Sequence, residues 1–441
     1  MNPETYIPNS KFGWVDFNPK HKDTFDEMLR ALQGPGVVDE LGVGVVRDSF
    51  SDKLFPGTST IMTRAKYYLL TPYIFRNYLR EDIKDHPNPR VYLEKAENNI
   101  IEQLYQQMVE ADKNAELSEG EKKERTQGIL GSNTQRRGEE LERKPSAIYW
   151  NGMRVWGIIN TELSLSNLLS TISKSRKELI TQMEDSESLF ASNTQFSGKL
   201  LQLNELGTNW EEDFKITLEE READYLRNKI LERLKGSMLH ELMTYKNRSL
   251  KEVFLSSKSF EEFAGRAPKD ELPESLYLIL RQASLFWKVM NGAHILYNIM
   301  IFESYGQGAL NKFIPIWGQW VKEIHKGQNE IKEVLLADHL WRLGKQTNHT
   351  ADKHTKRFIA KWIEAAKSPH TLDHQNEELQ KLVINQEIHK KGGRSRLLTK
   401  KDSKLMQEYE GERIGFDDLN YRFGTIKMIV DDIHKGLGAI N

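Results

Sequence analysis

The chain of 441 residues contains no cysteine. This absence excludes disulfide bonds, thiolate nucleophiles and cysteine-ligated zinc, and it fits a reducing compartment. An excess of charge of either sign is also missing, because 63 Lys and Arg residues face 64 Asp and Glu residues, for a formal net charge of −1. The sequence therefore excludes a globally basic nucleic-acid-binding protein, and any contact with nucleic acid has to come from a local patch.

Targeting and membrane segments are lacking as well. The N-terminal residues MNPETYIPNSKFGWVDF have neither the basic start nor the apolar stretch of about 7 to 15 residues that a secretory signal needs. The most apolar stretch, Leu285 to Phe302, includes Lys288, Asn291, His294 and Asn298, and these polar residues favour a buried core helix over a membrane span. We expect a cytoplasmic protein that does not contact a membrane.

Helical periodicity is the main pattern that the sequence does contain. Apolar residues recur three and four positions apart over long stretches, as in Leu226, Ile230 and Leu234, and no convincing series of strands appears. The pattern predicts a mainly α fold, a multi-helix body with few short strands at most. The individual predictions are helices over residues 20–32, 63–79, 91–109 and 275–303, a brief strand within 39–46 and a loop over 254–273.

Composition divides the chain into four segments. Residues 111–144 contain no aromatic side chain and many charges of both signs, which predicts a charged flexible linker or exposed helix and the best candidate for a hinge. The other predicted segments are an N-terminal helical domain over 1–110, a central helical bundle over 145–367 and a C-terminal helical region with a basic loop over 368–441.

Two catalytic motifs are present only in part. His240-Glu241 begins the zinc motif H-E-x-x-H, but Thr244 stands at the second ligand position, and too few ligands remain for a zinc site. Ser197-Gly198-Lys199 resembles the end of a phosphate-binding loop, but Leu200 replaces the hydroxyl that would hold magnesium. We predict no catalytic residue, no metal and no cofactor.

Other polar residues leave a metal-dependent activity open as an alternative. Asp48, Asp52, Asp417 and Asp418 could bind Mg²⁺ in a nuclease, although no sequence pattern brings them together. Two histidine pairs are further candidate metal ligands, although histidines in polar segments are more often solvated. The pairs are His349 with His354 and His370 with His374.

The block from Asp48 to Tyr68 reads DSFSDKLFPGTSTIMTRAKYY and is the most specific feature of the chain. Within it, Pro56-Gly57 predicts a turn, and Thr58 or Ser59 is predicted to cap the following helix. If the middle of the block is structural in this way, only the charged residues at its two ends remain candidates for a functional role.

Nine basic residues form the predicted nucleic-acid-binding set. The denser group surrounds Gly392-Gly393, where glycine lets the backbone approach a phosphate closely. The alternative is a solvated surface loop for the denser group and internal ion pairs for the sparser one. The denser group is Lys390, Lys391, Arg394, Arg396, Lys400 and Lys401, and the sparser group is Arg47, Arg64 and Lys66.

Several motifs together resemble the bacterial family known as domain of unknown function 6361. They are Gly13-Trp14-Val15-Asp16, Asp39 to Gly44, Arg47 to Tyr68, Ser146 to Trp150, Trp156-Gly157-Ile158, Gly392 to Leu397 and Leu419 to Arg422. The resemblance implies a component of bacterial defence islands, encoded near large helicases or proteins with a phospholipase D-type nuclease domain. It implies no enzymatic role.

The resemblance and the basic groups together predict a non-catalytic subunit of a multi-protein anti-phage system. We expect it to contact DNA or RNA and to act with a helicase or nuclease partner of the same system. Two alternatives stay open, a metal-dependent nuclease or other hydrolase and a purely protein-binding adaptor.

Overall fold

The computed structural model describes residues 39–80, 88–137, 139, 141–183, 214–305, 307–398, 413–415 and 419–438. Within these residues the backbone forms 18 α-helices and no strand, which confirms the predicted mainly α fold. In chain order the helices are α1 (Gly44–Leu54), α2 (Tyr67–Arg80), α3 (Pro89–Lys113), α4 (Glu119–Thr126), α5 (Ser132–Arg136), α6 (Pro145–Val155), α7 (Leu165–Met183), α8 (Glu220–Arg233), α9 (Met238–Met243), α10 (Arg248–Ser256), α11 (Phe260–Arg266), α12 (Glu274–Tyr305), α13 (Gln307–Lys326), α14 (Gln328–Val334), α15 (Ala337–Gln346), α16 (Lys353–Ala366), α17 (Glu377–Lys391) and α18 (Phe423–Gly436).

The described residues fall into two compact units, and each unit draws on segments that are far apart in the sequence. Unit 1 contains the described residues of 1–43, 289–326 and 354–418, and unit 2 contains those of 44–288, 327–353 and 419–441. The division of the chain into four consecutive segments stays a prediction.

Aromatic side chains of α2, of α6 and of Trp156 directly after α6 form part of the core of unit 2. The ring of Tyr68 stacks on Trp156, with centroids 3.8 Å apart, and meets the Tyr149 ring edge-on at 4.9 Å. All three side chains are fully buried, and such aromatic pairs add to the free energy gained from burial. The predicted helix over 63–79 is present as α2, but it begins only at Tyr67. Pro72 lies inside it.

Tryptophan side chains from α13 and α16 organise the core of unit 1. Trp320 lies with its ring centroid 6.3 Å from that of Trp362, and the Trp362 indole donates to the carbonyl of Val289 at 2.9 Å. These residues pack against the second half of α12, which confirms the predicted core helix over 275–303.

No helix in the described part of the chain combines the length and apolar character that crossing a bilayer requires.

Two local predictions were wrong. Instead of a brief strand within 39–46, the Asp39 carboxylate accepts a hydrogen bond from the Val43 amide at 2.9 Å, and α1 follows from Gly44. Instead of a loop over 254–273, the chain forms α11, whose first turn is capped by Ser259. Serine followed three residues later by Glu262 is a helix-start signal that indicated this helix. The predicted helix over 20–32 lies outside the described residues.

The charged segment 111–144 contains two short helices, α4 and α5. Ser118 and Glu121 form a capping box at the start of α4. The segment is also joined to α2 and the turn before it, because the Thr63 hydroxyl donates to the carbonyl of Gly128 at 2.6 Å and the Leu130 amide donates to the Tyr67 hydroxyl at 3.0 Å. These bonds hold the middle of the segment against α2 and the turn before it within unit 2, so the structure does not favour a hinge there.

Candidate nucleic-acid interface

The middle of the Asp48 to Tyr68 block is a turn. Gly57 has a φ of +76°, a conformation that glycine adopts without steric cost. The Thr58 hydroxyl donates to the Phe55 carbonyl at 2.6 Å, and the Tyr68 hydroxyl donates to the Gly57 carbonyl at 2.8 Å. The predicted turn is confirmed. The predicted helix cap is wrong, because α2 begins only at Tyr67 and the Thr58 hydroxyl closes the turn instead.

Arg64, from the sparser basic group, is buried in unit 2. Its guanidinium binds both oxygens of Asp432 at 2.9 Å and donates to the carbonyls of Glu124 and Gln127. Burial raises the pKa of the Asp432 carboxyl, while the Arg64 guanidinium and the Ala65 amide act in the opposite direction. With 3% of its surface exposed, Arg64 stabilises the fold and cannot reach a polyanion in solvent.

Lys66 is buried in the same way, and Arg47 is not. The Lys66 ammonium lies 2.6 Å from both oxygens of Glu222, which also accepts a hydrogen bond from the Tyr73 hydroxyl at 2.8 Å. Arg47 pairs with its neighbour Asp48 at 2.9 Å while both side chains stay about one-third exposed, at 28% and 34%. Burial therefore removes Arg64 and Lys66 from the set that can contact nucleic acid, whereas Arg47 stays a prediction.

Asp52, one of the candidate magnesium ligands, is engaged by two partners. Arg422 donates to one carboxylate oxygen at 2.6 Å, and the His349 ring lies 2.7 Å from the other. Both oxygens are thus occupied by protein groups. Asp417 and Asp418 lie outside the described residues, and across the described residues no three His, Asp or Glu side chains are grouped so that they could hold a metal ion.

Glu387 in unit 1 anchors the C-terminal basic loop. Its carboxylate accepts hydrogen bonds from the Tyr297 hydroxyl at 2.8 Å, the Ser395 hydroxyl at 2.7 Å and the backbone amides of Arg396 and Leu397 at 2.9 and 3.1 Å. The side chain is fully buried. Because a buried carboxylate with fewer partners would be costly, this arrangement fixes the loop around it.

A second buried carboxylate, Glu40, binds two cations of the predicted set. Lys391 forms an ion pair with it, and the Arg396 guanidinium lies 2.8 Å away. Glu40 belongs to the Asp39 to Gly44 motif, so two motifs that are distant in the sequence meet here. Lys391 and Arg396 remain partly accessible, at 17% and 26%, but much of their charge neutralises Glu40.

The rest of the denser group divides into exposed and undescribed residues. Lys390 is exposed, and its side chain runs beside Gly42, where a Cβ would collide with it. The Arg394 side chain and residues Lys400 and Lys401 lie outside the described part of the chain. Lys390 therefore remains a candidate nucleic-acid contact.

A basic helix face in unit 1 was missed by the sequence analysis. On α16, Arg357 and Lys361 are one turn apart and exposed, and Lys356 beside them is half-buried. Within the described residues neither Arg357 nor Lys361 forms an ion pair, and the opposite face of the helix packs into the core through residues such as Trp362. We call Lys356, Arg357 and Lys361 the α16 basic face. The signal was present in the sequence, because no acid occurs from Lys353 to Ile363.

Two histidines join this face to the end of α17. The rings of His354 and His389 stack with centroids 4.2 Å apart, and His354 also lies 3.0 Å from the Gln386 amide oxygen. This contact places the first turn of α16 beside the turn that carries Lys390. Exposed Lys and Arg side chains arranged in this way bind phosphate groups and read no base sequence.

Comparison with known proteins gives one match. The family model described as "Family of unknown function (DUF6361)" matches residues 9–434. No curated protein and no solved structure matches the chain.

Proposed function

Since the chain belongs to the DUF6361 family, a family of unknown function, we propose that it is a non-catalytic subunit of a bacterial multi-protein anti-phage defence system. In this proposal the chain contacts DNA or RNA through the α16 basic face, and a helicase or nuclease partner performs the chemistry. The motif resemblance supports the defence setting, and the surface charge supports the contact with nucleic acid.

The observation that carries the proposal is the pair Arg357 and Lys361. Both side chains are exposed on one helix face, and within the described residues neither is paired with a carboxylate. Cations of this kind displace the counterions that surround nucleic acid, and the released counterions supply binding free energy. Because the net charge of the whole chain is −1, attraction to a polyanion has to arise at such a local group rather than from the molecule as a whole.

The non-catalytic part of the proposal is supported by the engagement of the candidate acids. Asp52 binds Arg422 and His349, and Asp48 pairs with Arg47. A nuclease needs carboxylates whose oxygens face an open metal position, and this arrangement offers neither oxygen of Asp52 to a metal. The contacts of Asp48 and Asp52, the two candidate acids that the structure describes, therefore support the non-catalytic role.

Fluorescence anisotropy with labelled single- and double-stranded oligonucleotides tests the contact. For the wild-type chain, we expect the logarithm of the binding constant to fall linearly with the logarithm of the salt concentration, and the slope of that line reports the number of phosphate contacts. The double variant Arg357→Glu, Lys361→Glu should bind more weakly and reduce that slope by about 2 for duplex DNA, since each phosphate contact contributes about 0.9. Lys95→Glu, an exposed change on α3, serves as the control and should match the wild type. An unchanged slope in the double variant would contradict the proposed surface.

Co-purification separates this proposal from the adaptor alternative. Partners that are retained after nuclease treatment bind the chain as protein, whereas partners that are lost are bridged by nucleic acid. If the wild-type chain binds no oligonucleotide but still retains its partner, the adaptor reading replaces the one proposed here. Cleavage of labelled nucleic acid by the purified chain with Mg²⁺ or Mn²⁺ would instead establish the nuclease alternative.

A further inference from the structure

Unit 2 contains a cavity of about 340 Å³ beside the turn at Gly57. Its walls include Asp52, Lys53 and Pro56 from the Asp48 to Tyr68 block, Val155 at the end of α6, and Arg233 and Lys235 at and after the end of α8. The volume lies at the lower end of the range of about 300 to 1,000 Å³ that is usual for small-molecule sites. Two motifs that carry the family resemblance, the FPGTST turn and the Trp156-Gly157-Ile158 segment, therefore adjoin one cavity.

Positive charge at this cavity is not compensated by the protein. Lys53, Arg233 and Lys235 all line it, and none of the three forms an ion pair with any residue that the structure describes. Asp52 contributes a carboxylate to the lining, but that carboxylate already binds Arg422 and His349. The cavity therefore presents three cations to solvent.

Helix ends account for part of this charge but not for all of it. Lys53 and Arg233 lie in the last turns of α1 and α8, where a cation stabilises the partial negative charge of the helix end. Lys235 lies beyond the end of α8 and has no such role. The partial negative charge of the helix ends also opposes a bound anion, so any anion must be held by the side-chain cations directly.

The Arg233 side chain lies against Gly157. Gly157 has a φ of +68°, and a Cβ at this residue would lie 2.6 Å from the Nε atom of Arg233. Glycine thus permits both the left-handed backbone and the close approach of the guanidinium. Arg233 is otherwise exposed, and the planar fork of its guanidinium matches the oxygens of a phosphate.

We propose that this cavity binds the phosphate group of a small phosphorylated molecule. A tetrahedral anion with several oxygens can accept hydrogen bonds from Arg233 and from the two lysines at once, which a carboxylate does less completely. The volume of about 340 Å³ suits a phosphate or diphosphate with a small substituent rather than a nucleic-acid strand. This site is separate from the α16 basic face and does not depend on the proposed function.

Isothermal titration calorimetry of the full chain tests the site, with inorganic phosphate, pyrophosphate and ATP as probes at constant ionic strength. We expect saturable binding of at least one probe with one site per chain. The double variant Arg233→Gln, Lys235→Gln should weaken that binding on the order of tenfold or more, because it removes two charge-assisted hydrogen bonds to the anion. Lys95→Gln, on α3, should leave it unchanged. Lys235→Gln alone, an exposed change in a turn, keeps the test valid if the double variant does not fold.

Three outcomes would overturn the proposal. The first is the absence of saturable binding of any probe by the wild-type chain. The second is equal binding by the wild type and by both variants. The third is binding of oligonucleotides alone that is lost in the Arg233 variant, which would make the cavity a polymer contact. Failure here is distinguishable from failure of the proposed function, because Arg357→Glu, Lys361→Glu should retain phosphate binding and Arg233→Gln, Lys235→Gln should retain the oligonucleotide salt slope.

Discussion

Buried carboxylates determine what most of the charged residues in the sequence motifs do. Glu222, Asp432, Glu40 and Glu387 are all buried. The first three each bind a cation from a distant part of the chain, and Glu387 accepts hydrogen bonds from the Tyr297 hydroxyl and from the nearby basic loop. Removing a carboxylate from water costs several kcal/mol, so these partners are needed for the fold. Several Lys and Arg side chains that the sequence suggests as nucleic-acid contacts therefore neutralise buried carboxylates and stabilise the fold instead.

Replacing Lys66 should destabilise the protein far more than replacing Arg47. In Lys66→Gln, Glu222 keeps the Tyr73 hydroxyl but loses its cation, and breaking a buried pair in this way costs about 3 to 5 kcal/mol. In Arg47→Gln an exposed pair is lost, at a cost below about 1 kcal/mol. Urea denaturation followed by circular dichroism measures both changes. Equal losses in the two variants would show that the Lys66 pair is not structural.

The sequence could identify these charges but not their partners. Arg64 and Asp432 are 368 positions apart, and Glu40 and Arg396 are 356 positions apart, so nothing in the local pattern joins them. The α16 basic face differs, because Arg357 and Lys361 lie one turn apart in a helix without neighbouring acids. The exposed basic face could therefore be predicted from local spacing in the sequence, whereas the internal ion pairs could not, because they depend on the tertiary fold.

Among the elements, helices with a long apolar pattern were predicted well and short ones were not. The 32 residues of α12 bury many apolar side chains, so their pattern dominates the sequence signal. The 7 residues of α11 are too few for periodicity to be evident, and only the Ser259 cap indicated them. The cap predicted at Thr58 failed because a hydroxyl after a turn can equally well bond back to the turn, as it does to Phe55.

Close packing between α12 and α13 leads to a prediction for Gly292. A Cβ at this position would overlap the Trp320 ring. Gly292→Ala gains about 0.5 to 1 kcal/mol of helix propensity, but displacing a buried tryptophan typically costs about 1 to 3 kcal/mol. We expect a net loss of stability, measured as a lower Tm.

Gly318→Ala on α13 is the matched control. No atom lies within 4 Å of a Cβ added at Gly318, so the substitution should gain the helix propensity of alanine without a clash and raise the Tm slightly. A higher Tm in both variants would show that Trp320 can move aside at little cost, and that the Gly292 contact does not constrain unit 1.

At the scale of the whole molecule, each unit contains a buried histidine that is held neutral. Burial lowers the pKa of His294 in unit 1 to about 3, assisted by Arg413. Burial also lowers the pKa of His434 in unit 2 to about 4, assisted by Lys251. In the unfolded chain both histidines titrate near 6.5. The unfolded state therefore takes up protons first as the pH falls, and the stability that these residues contribute above pH 6.5 is lost progressively below it.

Glu97 in unit 2 acts in the opposite direction. Burial raises its pKa from 4.5 to about 7, although the Ser146 amide and hydroxyl donate to its carboxylate. The folded state then holds this proton more tightly, so its contribution to stability is complete below pH 4.5 and is lost as the pH rises towards 7. Between pH 4.5 and 6.5, the proton held by Glu97 in the folded state therefore offsets the effect of about one of the two histidines on the pH dependence of the free energy of unfolding.

Acid unfolding should therefore begin below pH 6.5, and single substitutions should change its steepness in opposite directions. Between pH 6.5 and pH 5, each histidine lowers the free energy of unfolding by about 2 kcal/mol, at about 1.4 kcal/mol per pH unit. His294→Gln and His434→Gln should each flatten the dependence of the free energy of unfolding on pH between 5 and 6.5, and Glu97→Gln should steepen it. Urea titrations at several pH values measure these slopes, with the exposed His325→Gln as control. A histidine variant whose slope equals that of the wild type would show that its imidazole is protonated equally in the folded and unfolded states, and so is not held neutral by burial.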